Sequence, residues 1–308
     1  MRLLICAGGT GGGVYPALAV LQILADKIEE VLWVGGEGGM EAELVQRLNI
    51  PFKAIPAAGV HGIGIRTLPS NMMKLGRGVN AARKILGQFK PDVLFFTGGY
   101  VAAPMAVAAS RKPSLLFLPD IEPGLAIKFI ARFVSKIAVT TKQSATYFRT
   151  TKPMIETGYP VRATLQPIPR ADAVAQFSLR EDQPIVLIFG GSKGAHSINQ
   201  AVLHILPQLL EAAQVIHISG SLDWPELLNV HKQLPENLQN RYKVFPYLHE
   251  EMSAALSAAN IAVSRAGAST LGEYPLFRLP AILVPYPFAW RYQKVNADYL
   301  VSQGAALT

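Results

Sequence analysis

Short apolar runs alternate along the chain with segments whose apolar residues recur at helical spacing. In the first half these runs predict strands at residues 3–7, 31–34, 92–96, 114–118 and 136–139, with helices such as 17–27 and 123–133 between them. The second half resumes the alternation, with predicted strands at residues 184–189, 214–219, 261–264 and 281–285. This order is typical of parallel sheets covered by helices on both faces, so we expect an α/β protein with doubly wound, Rossmann-like sheets.

Residues 150–170 interrupt the alternation. This segment holds four prolines, which disfavour both helix and strand and suit a linker. A chain of 308 residues also exceeds the usual size of a single hydrophobic core. We therefore expect two Rossmann-like domains, residues 1–158 and residues 159–308, which face each other across a cleft.

The composition excludes disordered, membrane-spanning and disulfide-rich proteins. Half of the residues are apolar and 16% are charged, which suits a well-buried fold and excludes a disordered chain. The longest apolar runs, such as residues 102–110, fall short of the ~20 residues that a membrane-spanning helix needs. The first residues lead directly into a strand with no secretory signal, and the one cysteine, Cys6, lies inside that strand. These features predict a cytosolic protein without disulfides.

The excess of positive charge lies entirely in the first half of the chain. Residues 1–158 carry 18 Lys and Arg against 10 Asp and Glu, whereas residues 159–308 carry 11 of each. Residues 44–91 contain eight bases and no acid, with aliphatic side chains among them. Such a segment is typical of a surface that contacts anionic lipid headgroups, although a solubilising helix face is an alternative. Few aromatic side chains accompany the bases, so we do not expect a nucleic-acid partner. The candidate membrane patch comprises Arg66, Lys74, Arg77, Arg83 and Lys84.

Three predicted strands end in a Gly-Gly pair. The three are LLICAGG (3–9), VLFFTGG (93–99) and IVLIFGG (185–191). Glycine turns at the carboxyl ends of parallel strands are where open α/β sheets bind ligands, although tight turns favour glycine on their own account. The three turns are spread over both halves of the chain, and this favours a ligand whose phosphates are held between the domains. The first turn contains a formal G-x-G-x-x-G, but the second strand lacks the acidic end of a dinucleotide site, so we do not expect NAD.

Two segments of the second half offer groups for a nucleotide. The segment GGSKGAHSINQ (190–200) presents backbone amides, the Ser192 hydroxyl and a helix N-terminus, which together can hold a diphosphate. In SRAGASTLGE (264–273), Ser269 or Thr270 can cap a helix that carries Glu273 in its first turn. That carboxylate can accept both ribose hydroxyls, or it can simply complement the helix dipole. The chain has no DxD, HExxH or Cys/His cluster, so we expect neither a metal nor a cofactor.

Several motifs stand in the order and spacing of a known family. They are GGTGGGVYPALAV, TGGYVAAP, GYPVR, GGSKGAHSINQ and SRAGASTLGE, followed by Gln293 in RYQKVNA. Across essentially its whole length the chain resembles the MurG family of peptidoglycan glycosyltransferases, family 28. The resemblance implies a GT-B fold and inverting, metal-independent transfer of N-acetylglucosamine from UDP-GlcNAc to lipid I, which forms lipid II. It further implies peripheral attachment to the cytoplasmic face of the inner membrane, in cell-wall biogenesis, cell shape and cell division.

The resemblance also implies roles for individual residues. Ser192 and its neighbouring amides would hold the diphosphate with Arg162 close by, and Glu273 would bind the ribose. Gln293 would contact the sugar hydroxyls, and Leu248 would lie near the uracil. The donor set is Thr10, Gly11, Gly12, Asp120, Arg162, Ser192, Leu248, Ala268, Ser269, Thr270, Leu271, Gly272, Glu273 and Gln293. The set that faces the acceptor and its phosphates is Gly13, Gly98, Gly99 and Tyr100.

The chain departs from the family on the acceptor side. The family's GGTGGHV motif carries a histidine that is a favoured candidate for the base, and this chain has Gly13 there. The family's HEQN segment is replaced by FLPDIEPGL (117–125), in which Asp120 takes the asparagine position. We therefore expect Asp120 or Glu122 to supply the base, with His61 as a weaker candidate.

These departures leave other functions open. A glycosyltransferase for another lipid acceptor, such as a diacylglycerol, and a non-catalytic UDP-sugar-binding protein both fit intact donor motifs. A sugar-nucleotide 2-epimerase is less favoured, because such an enzyme would have no reason to carry the basic, apolar segment. Family members also continue beyond the GAA-like segment, so we expect a fragment or a chain without its tail, whose second domain is less stable.

Overall fold

The computed structural model describes residues 1–8, 11–39, 41–57, 68–191, 194–287 and 292–308, with the backbone alone at Gly11, Leu68 and Pro69. The chain folds into two compact units, Met1–Ala163 and Thr164–Thr308. Each unit is a parallel β-sheet with helices, as the alternating pattern predicts.

The first unit is built on a seven-stranded parallel sheet in the order β3-β2-β1-β4-β5-β6-β7. Its strands are β1 (Arg2–Ala7), β2 (Glu30–Gly36), β3 (Phe52–Ile55), β4 (Val93–Gly98), β5 (Ser114–Leu118), β6 (Lys136–Val139) and β7 (Met154–Glu156). Its α-helices are α1 (Gly11–Ile23), α2 (Glu41–Arg47), α3 (Leu68–Phe89), α4 (Ala102–Ala108) and α5 (Leu125–Ile130). Short 3-10 turns cover Ala25–Lys27 and Lys142–Tyr147.

The central strands of this sheet are buried on both faces. Side chains alternate between the two faces of a strand. Along β1, Leu4 and Cys6 therefore join a core with α3, α4 and α5, while Leu3 and Ile5 join a second core with α1 and α2. Burial on both sides explains why these strands are nearly continuous apolar runs. Within the described part of the chain, no helix combines the length and apolar character needed to cross a membrane.

The second unit has a six-stranded parallel sheet in the order β10-β9-β8-β11-β12-β13. Its strands are β8 (Ile185–Phe189), β9 (Gln214–Ile218), β10 (Tyr242–Phe245), β11 (Ile261–Ser264), β12 (Ala281–Leu283) and β13 (Ala306–Leu307). Its helices are α6 (Arg170–Gln176), α7 (His196–Ala212), α8 (Trp224–Gln233), α9 (Glu236–Gln239), α10 (Met252–Ala258), α11 (Thr270–Phe277) and α12 (Tyr292–Ser302).

The four strands that the hydrophobic pattern missed, β3, β7, β10 and β13, are the four edge strands of the two sheets. Each is short and partly exposed, so it lacks the continuous apolar run that reveals a central strand. The prediction that residues 150–170 form only a linker is wrong for this reason. Strand β7 lies inside that segment, where the Pro153 carbonyl accepts the Ile137 N–H at 3.0 Å. An edge strand tolerates a nearby proline because only one side is paired.

The first unit ends a few residues beyond the predicted boundary at 158. Three contacts hold this extra segment to the first unit. Tyr159 packs edge-to-face on Phe117 with ring centroids 6.3 Å apart, and Arg162 lies 4.9 Å from the ring of Tyr15. The Ala163 N–H donates to the side chain of Gln22 at 3.4 Å.

Candidate functional site

A pocket of about 600 Å³ opens at the carboxyl edge of the second sheet. Its volume lies within the usual range for small-molecule sites, and its place at strand ends is where α/β sheets bind ligands. The turn after β8, the start of α7, the loops after β11 and β12, and α12 contribute its walls. The lining residues are Phe189, Gly190, Gly191, Gly194, Ala195, His196, Ser197, Ser264, Arg265, Gly267, Ser269, Thr270, Tyr286, Pro287 and Gln293.

The turn after β8 is folded tightly enough to require glycine. A Cβ at Gly190 would lie 2.2 Å from the Ala195 nitrogen, and one at Gly194 would lie 2.2 Å from the Ser219 carbonyl oxygen. The turn leads at once into α7, whose first amides have no acceptor within the helix. His196 and Ser197 begin this helix and line the pocket. The positive end of α7 therefore meets the pocket, which suits an anionic ligand.

A buried polar network lies beneath this turn. The side-chain amide of Asn199 donates to the Ser219 carbonyl at 2.8 Å and to Asp223 Oδ2 at 2.7 Å. Its Oδ1 therefore faces His217 Nε2 at 2.9 Å, while the Tyr242 hydroxyl lies 2.9 Å from His217 Nδ1. Burial lowers the pKa of His217 to about 4, with a smaller opposing effect from Asp223. The neutral ring donates through Nε2 and accepts through Nδ1, which ties α7 to the end of β9.

Arg265 connects the loops of the pocket, and the motifs did not single it out. Its Nη2 donates to Ser197 Oγ at 2.7 Å and its Nη1 donates to the Val284 carbonyl at 3.1 Å. Its guanidinium also lies 5.4 Å from the ring centroid of Tyr286. Burial lowers the pKa of Arg265, but an arginine stays charged in proteins. The pocket therefore carries a fixed positive charge; a lone basic residue in the small-residue loop after β11 was the available sequence signal.

The loop before α11 differs from the prediction. The Thr270 hydroxyl donates to the Gly267 carbonyl at 2.7 Å, and the amides of Gly272 and Glu273 donate to the Ser269 carbonyl at 3.0 and 2.8 Å. Ser269 is the N-cap residue of α11, as predicted, but no side-chain hydroxyl caps the helix. Its backbone carbonyl, rather than its hydroxyl, accepts the first amides of the helix.

The structure brings together part of the predicted donor set. Ser269, Thr270 and Gln293 line the pocket beside the glycine turn, and Gln293 Oε1 accepts the Tyr286 N–H at 2.8 Å. The pocket lining does not include five other members, namely Leu248, Ala268, Leu271, Gly272 and Glu273. Leu248, Ala268 and Leu271 are buried instead, whereas Glu273 is half-buried in the first turn of α11. Their contacts with a nucleotide stay predictions.

Four residues named from the sequence lie outside the described residues. They are Thr10, His61, Arg66 and Ser192. Arg162, predicted near the diphosphate, is part of the first unit and lies over Tyr15 of α1. Its role toward a diphosphate also stays a prediction.

The first unit presents its own glycine turns at the carboxyl edge of its sheet. Gly11, Gly12 and Gly13 form the first turn of α1, and the Thr97 hydroxyl donates to the Gly13 carbonyl at 2.7 Å. After β4, a Cβ at Gly99 would lie 2.5 Å from the Gly8 carbonyl oxygen. Backbone therefore packs directly on backbone where β1 and β4 end.

Glu41 is a buried carboxylate that the motifs did not reveal. It is 2% exposed and accepts the Gly36 N–H at 2.9 Å. A Cβ at Gly8, Gly35 or Gly39 would collide with its carboxyl group. These three positions therefore need glycine in order to accommodate the Glu41 side chain. This requirement is separate from any role of the glycine turns in binding a ligand.

The two candidate bases follow β5. Asp120 and Glu122 are half-buried, and Ile121 between them is fully buried. The Thr140 hydroxyl donates to the carbonyls of Leu118 and Pro119 at 3.0 and 2.8 Å. The carboxylates therefore lie on a short, anchored segment at the same sheet edge as Gly98, Gly99 and the half-exposed Tyr100. Among residues with described placement, no cluster of three or more His, Cys, Asp or Glu could hold a metal ion.

Helix α3 carries most of the candidate membrane patch. Lys74, Arg77, Arg83 and Lys84 are exposed. Two large apolar side chains, Met72 and Met73, accompany them and are 58% and 62% exposed. The opposite side of the helix packs into the core through Ala82, Ile85 and Leu86. The exposed face is thus basic and apolar together.

Comparison with known proteins places these features in a family. The chain matches the glycosyltransferase family 28 N-terminal domain over residues 3–139 and the family 28 C-terminal domain over residues 185–308. It is 39% identical to the UDP-N-acetylglucosamine--N-acetylmuramyl-(pentapeptide) pyrophosphoryl-undecaprenol N-acetylglucosamine transferase of Roseiflexus sp. (strain RS-1), covering 100% of this chain and 82% of that protein. The protein of the same name from Bacillus subtilis (strain 168) is 34% identical, over 100% and 85%.

One solved structure agrees with this assignment, and a second shares the fold. The crystal structure of Acinetobacter baumannii MurG matches with a TM-score of 0.79 at 29% identity, over 99% of this chain and 85% of that chain. A UDP-GlcNAc 2-epimerase from Neisseria meningitidis, solved with UDP-GlcNAc, has a TM-score of 0.66 at 12% identity and shares the fold alone. The fold class and the resemblance drawn from the motifs are confirmed. The chain belongs to glycosyltransferase family 28.

Proposed function

We propose that this enzyme transfers N-acetylglucosamine from UDP-GlcNAc to lipid I and so forms lipid II. The observation that carries the proposal is the pocket of the second unit, where a glycine turn, the start of α7 and Arg265 surround one space. Amides and a fixed guanidinium are what a diphosphate requires. The acceptor follows from the names of relatives that are 34% to 39% identical over the whole chain.

The proposed reaction is a displacement at the anomeric carbon. The acceptor hydroxyl oxygen forms a bond to that carbon while the bond to the diphosphate oxygen breaks, and the sugar inverts its configuration. The hydroxyl proton passes to a carboxylate, Asp120 in our proposal, and UDP leaves with the bonding electrons. The amides at the start of α7 and the charge of Arg265 stabilise the negative charge that develops on the diphosphate.

Glu273 is proposed to hold the donor's ribose hydroxyls. Replacing it with alanine is expected to weaken UDP-GlcNAc binding by about 1–3 kcal/mol, because two hydroxyls lose a charged acceptor. Calorimetric titration of the purified variant measures this. The matched control is Glu236→Ala, which removes an exposed carboxylate from the first turn of α9. Equal affinity of the Glu273 variant and the wild type would contradict the ribose role.

A second candidate acceptor is a diacylglycerol. The observation that favours it is the changed acceptor side, with Gly13 and Asp120 at positions where family members carry histidine and asparagine. Radiolabelled UDP-GlcNAc given with a lipid I analogue or with diacylglycerol separates the candidates. Label in lipid II supports the proposal and label in a glycolipid supports the second candidate. Tight UDP binding with neither product would identify a non-catalytic protein.

The exposed face of α3 is proposed to bind anionic membranes, which would bring the enzyme to its lipid acceptor. Replacing Lys74, Arg77, Arg83 and Lys84 with glutamine is expected to lower binding to anionic vesicles at least tenfold, because each base near such a surface contributes about 1 kcal/mol. Co-sedimentation with anionic and with neutral vesicles measures this.

The control is a second variant that loses the same number of positive charges at positions outside α3. It replaces four other exposed bases of the first unit with glutamine, namely Arg111, Lys136, Lys142 and Arg149. If both variants bind vesicles equally well, the face of α3 has no special role and only solubilises the helix.

A further inference from the structure

His196 lies in the pocket and has a fixed partner. It is the first residue of α7, and its Nδ1 is 3.0 Å from Asp223 Oδ1. The carboxylate of Asp223 is sheltered, with a side chain 14% exposed, whereas the imidazole is 71% exposed. A carboxylate can only accept, so Nδ1 carries a proton and Nε2, on the far side of the ring, is left to act on a ligand.

Asp223 is itself held by the buried network. Its second oxygen, Oδ2, accepts from Asn199 at 2.7 Å, and Asn199 is fully buried. Asn199 also binds the Ser219 carbonyl, against which Gly194 packs. The groups that orient the imidazole are therefore the same groups that shape the glycine turn.

We propose that His196, oriented by Asp223, binds the diphosphate of the donor through Nε2 as a protonated imidazolium. Nε2 can donate to a phosphate oxygen only when the ring carries its second proton. The negative charge of a bound diphosphate favours that state. The pocket then gains a hydrogen-bond donor with a positive charge, beside the first amides of α7.

Other charged groups around this turn come from neighbouring elements. Glu226, in the first turn of α8, accepts from Gln200 Nε2 at 2.9 Å, one turn along α7 from His196. Arg265, after β11, donates to Ser197, the next residue of the chain. Asp223 alone among these three groups has a recorded contact with His196.

The inference rests on the proposed donor site, so the test begins with wild-type binding of UDP-GlcNAc. His196→Gln is expected to weaken that binding about tenfold, because one charge-assisted hydrogen bond is lost, and to leave uridine binding unchanged. His196→Lys, which keeps a positive charge, is expected to restore most of the affinity. Asp223→Asn is expected to lie between His196→Gln and the wild type. His204→Gln, at an exposed histidine further along α7, is the matched control.

Proton uptake provides a readout that a structural role would not change. Calorimetry in buffers of different ionisation enthalpy counts protons taken up as UDP-GlcNAc binds, and the substituted diphosphate of this ligand does not itself titrate near neutral pH. Uptake is expected in the wild type and absent in His196→Gln and His196→Lys. If the wild type binds no UDP-GlcNAc, the proposed function fails. If the wild type binds it and His196→Gln matches its affinity and proton uptake, this inference alone is overturned.

Discussion

Replacing Asp120 with asparagine is expected to lower kcat for sugar transfer by a factor of about 10²–10⁴. Asparagine has the shape of aspartate but cannot accept the proton of the acceptor hydroxyl, and a positioned base contributes an acceleration of that order. The segment is anchored by buried Ile121 and by the Thr140 hydroxyl, so the change should not move it. Transfer of radiolabelled N-acetylglucosamine to a lipid I analogue measures kcat, and calorimetry of UDP-GlcNAc binding separates a loss of turnover from a loss of donor affinity.

Glu122→Gln is the matched control, because it removes the same charge two residues away from an equally half-buried position. It is expected to retain most of the activity. A large loss in Glu122→Gln with normal turnover in Asp120→Asn would assign the base to Glu122 instead. Normal turnover in both variants would remove this loop from the chemistry.

The second large effect concerns stability against acid. Burial holds the pKa of His217 at about 4 in the folded protein, whereas an unfolded histidine titrates near 6.5. The folded state therefore binds fewer protons between these values, and the free energy of unfolding falls as the pH falls from 6.5 to 4. At about 1.4 kcal/mol per pH unit the loss from this residue approaches about 3 kcal/mol, and above pH 6.5 it adds no slope.

Urea unfolding at several pH values between 7 and 4 measures this slope. His217→Gln keeps a side chain that can donate and accept toward Asn199 and Tyr242 but does not titrate. This variant is expected to lose less stability than the wild type over that range. His204→Gln, at an exposed histidine, should follow the wild type. Parallel curves for wild type and His217→Gln would show that His217 does not govern the acid response.

Some features of the donor pocket could be read from the chain and others could not. The turn after β8 was visible because a strand, two glycines and a helix follow one another locally. The contacts of Arg265 and the network of Asn199, His217 and Asp223 could not be predicted, since their partners are distant in sequence. Glu41 escaped notice in the same way: its role depends on glycines at the ends of β1 and β2.

The sequence by itself determined the α/β class, the central strands, the glycine turns, the basic acid-free segment and the family. Each of these is recorded in local order or in motif spacing, because a strand buried on both faces must be apolar throughout and a tight turn must carry glycine. Only the tertiary structure decided the edge strands, the end of the first unit at Ala163 and which side chains share the pocket. Those outcomes depend on contacts between segments that are far apart in the chain. A polar side chain is usually buried only where the folded chain supplies a hydrogen-bond partner, and the local sequence does not show that partner.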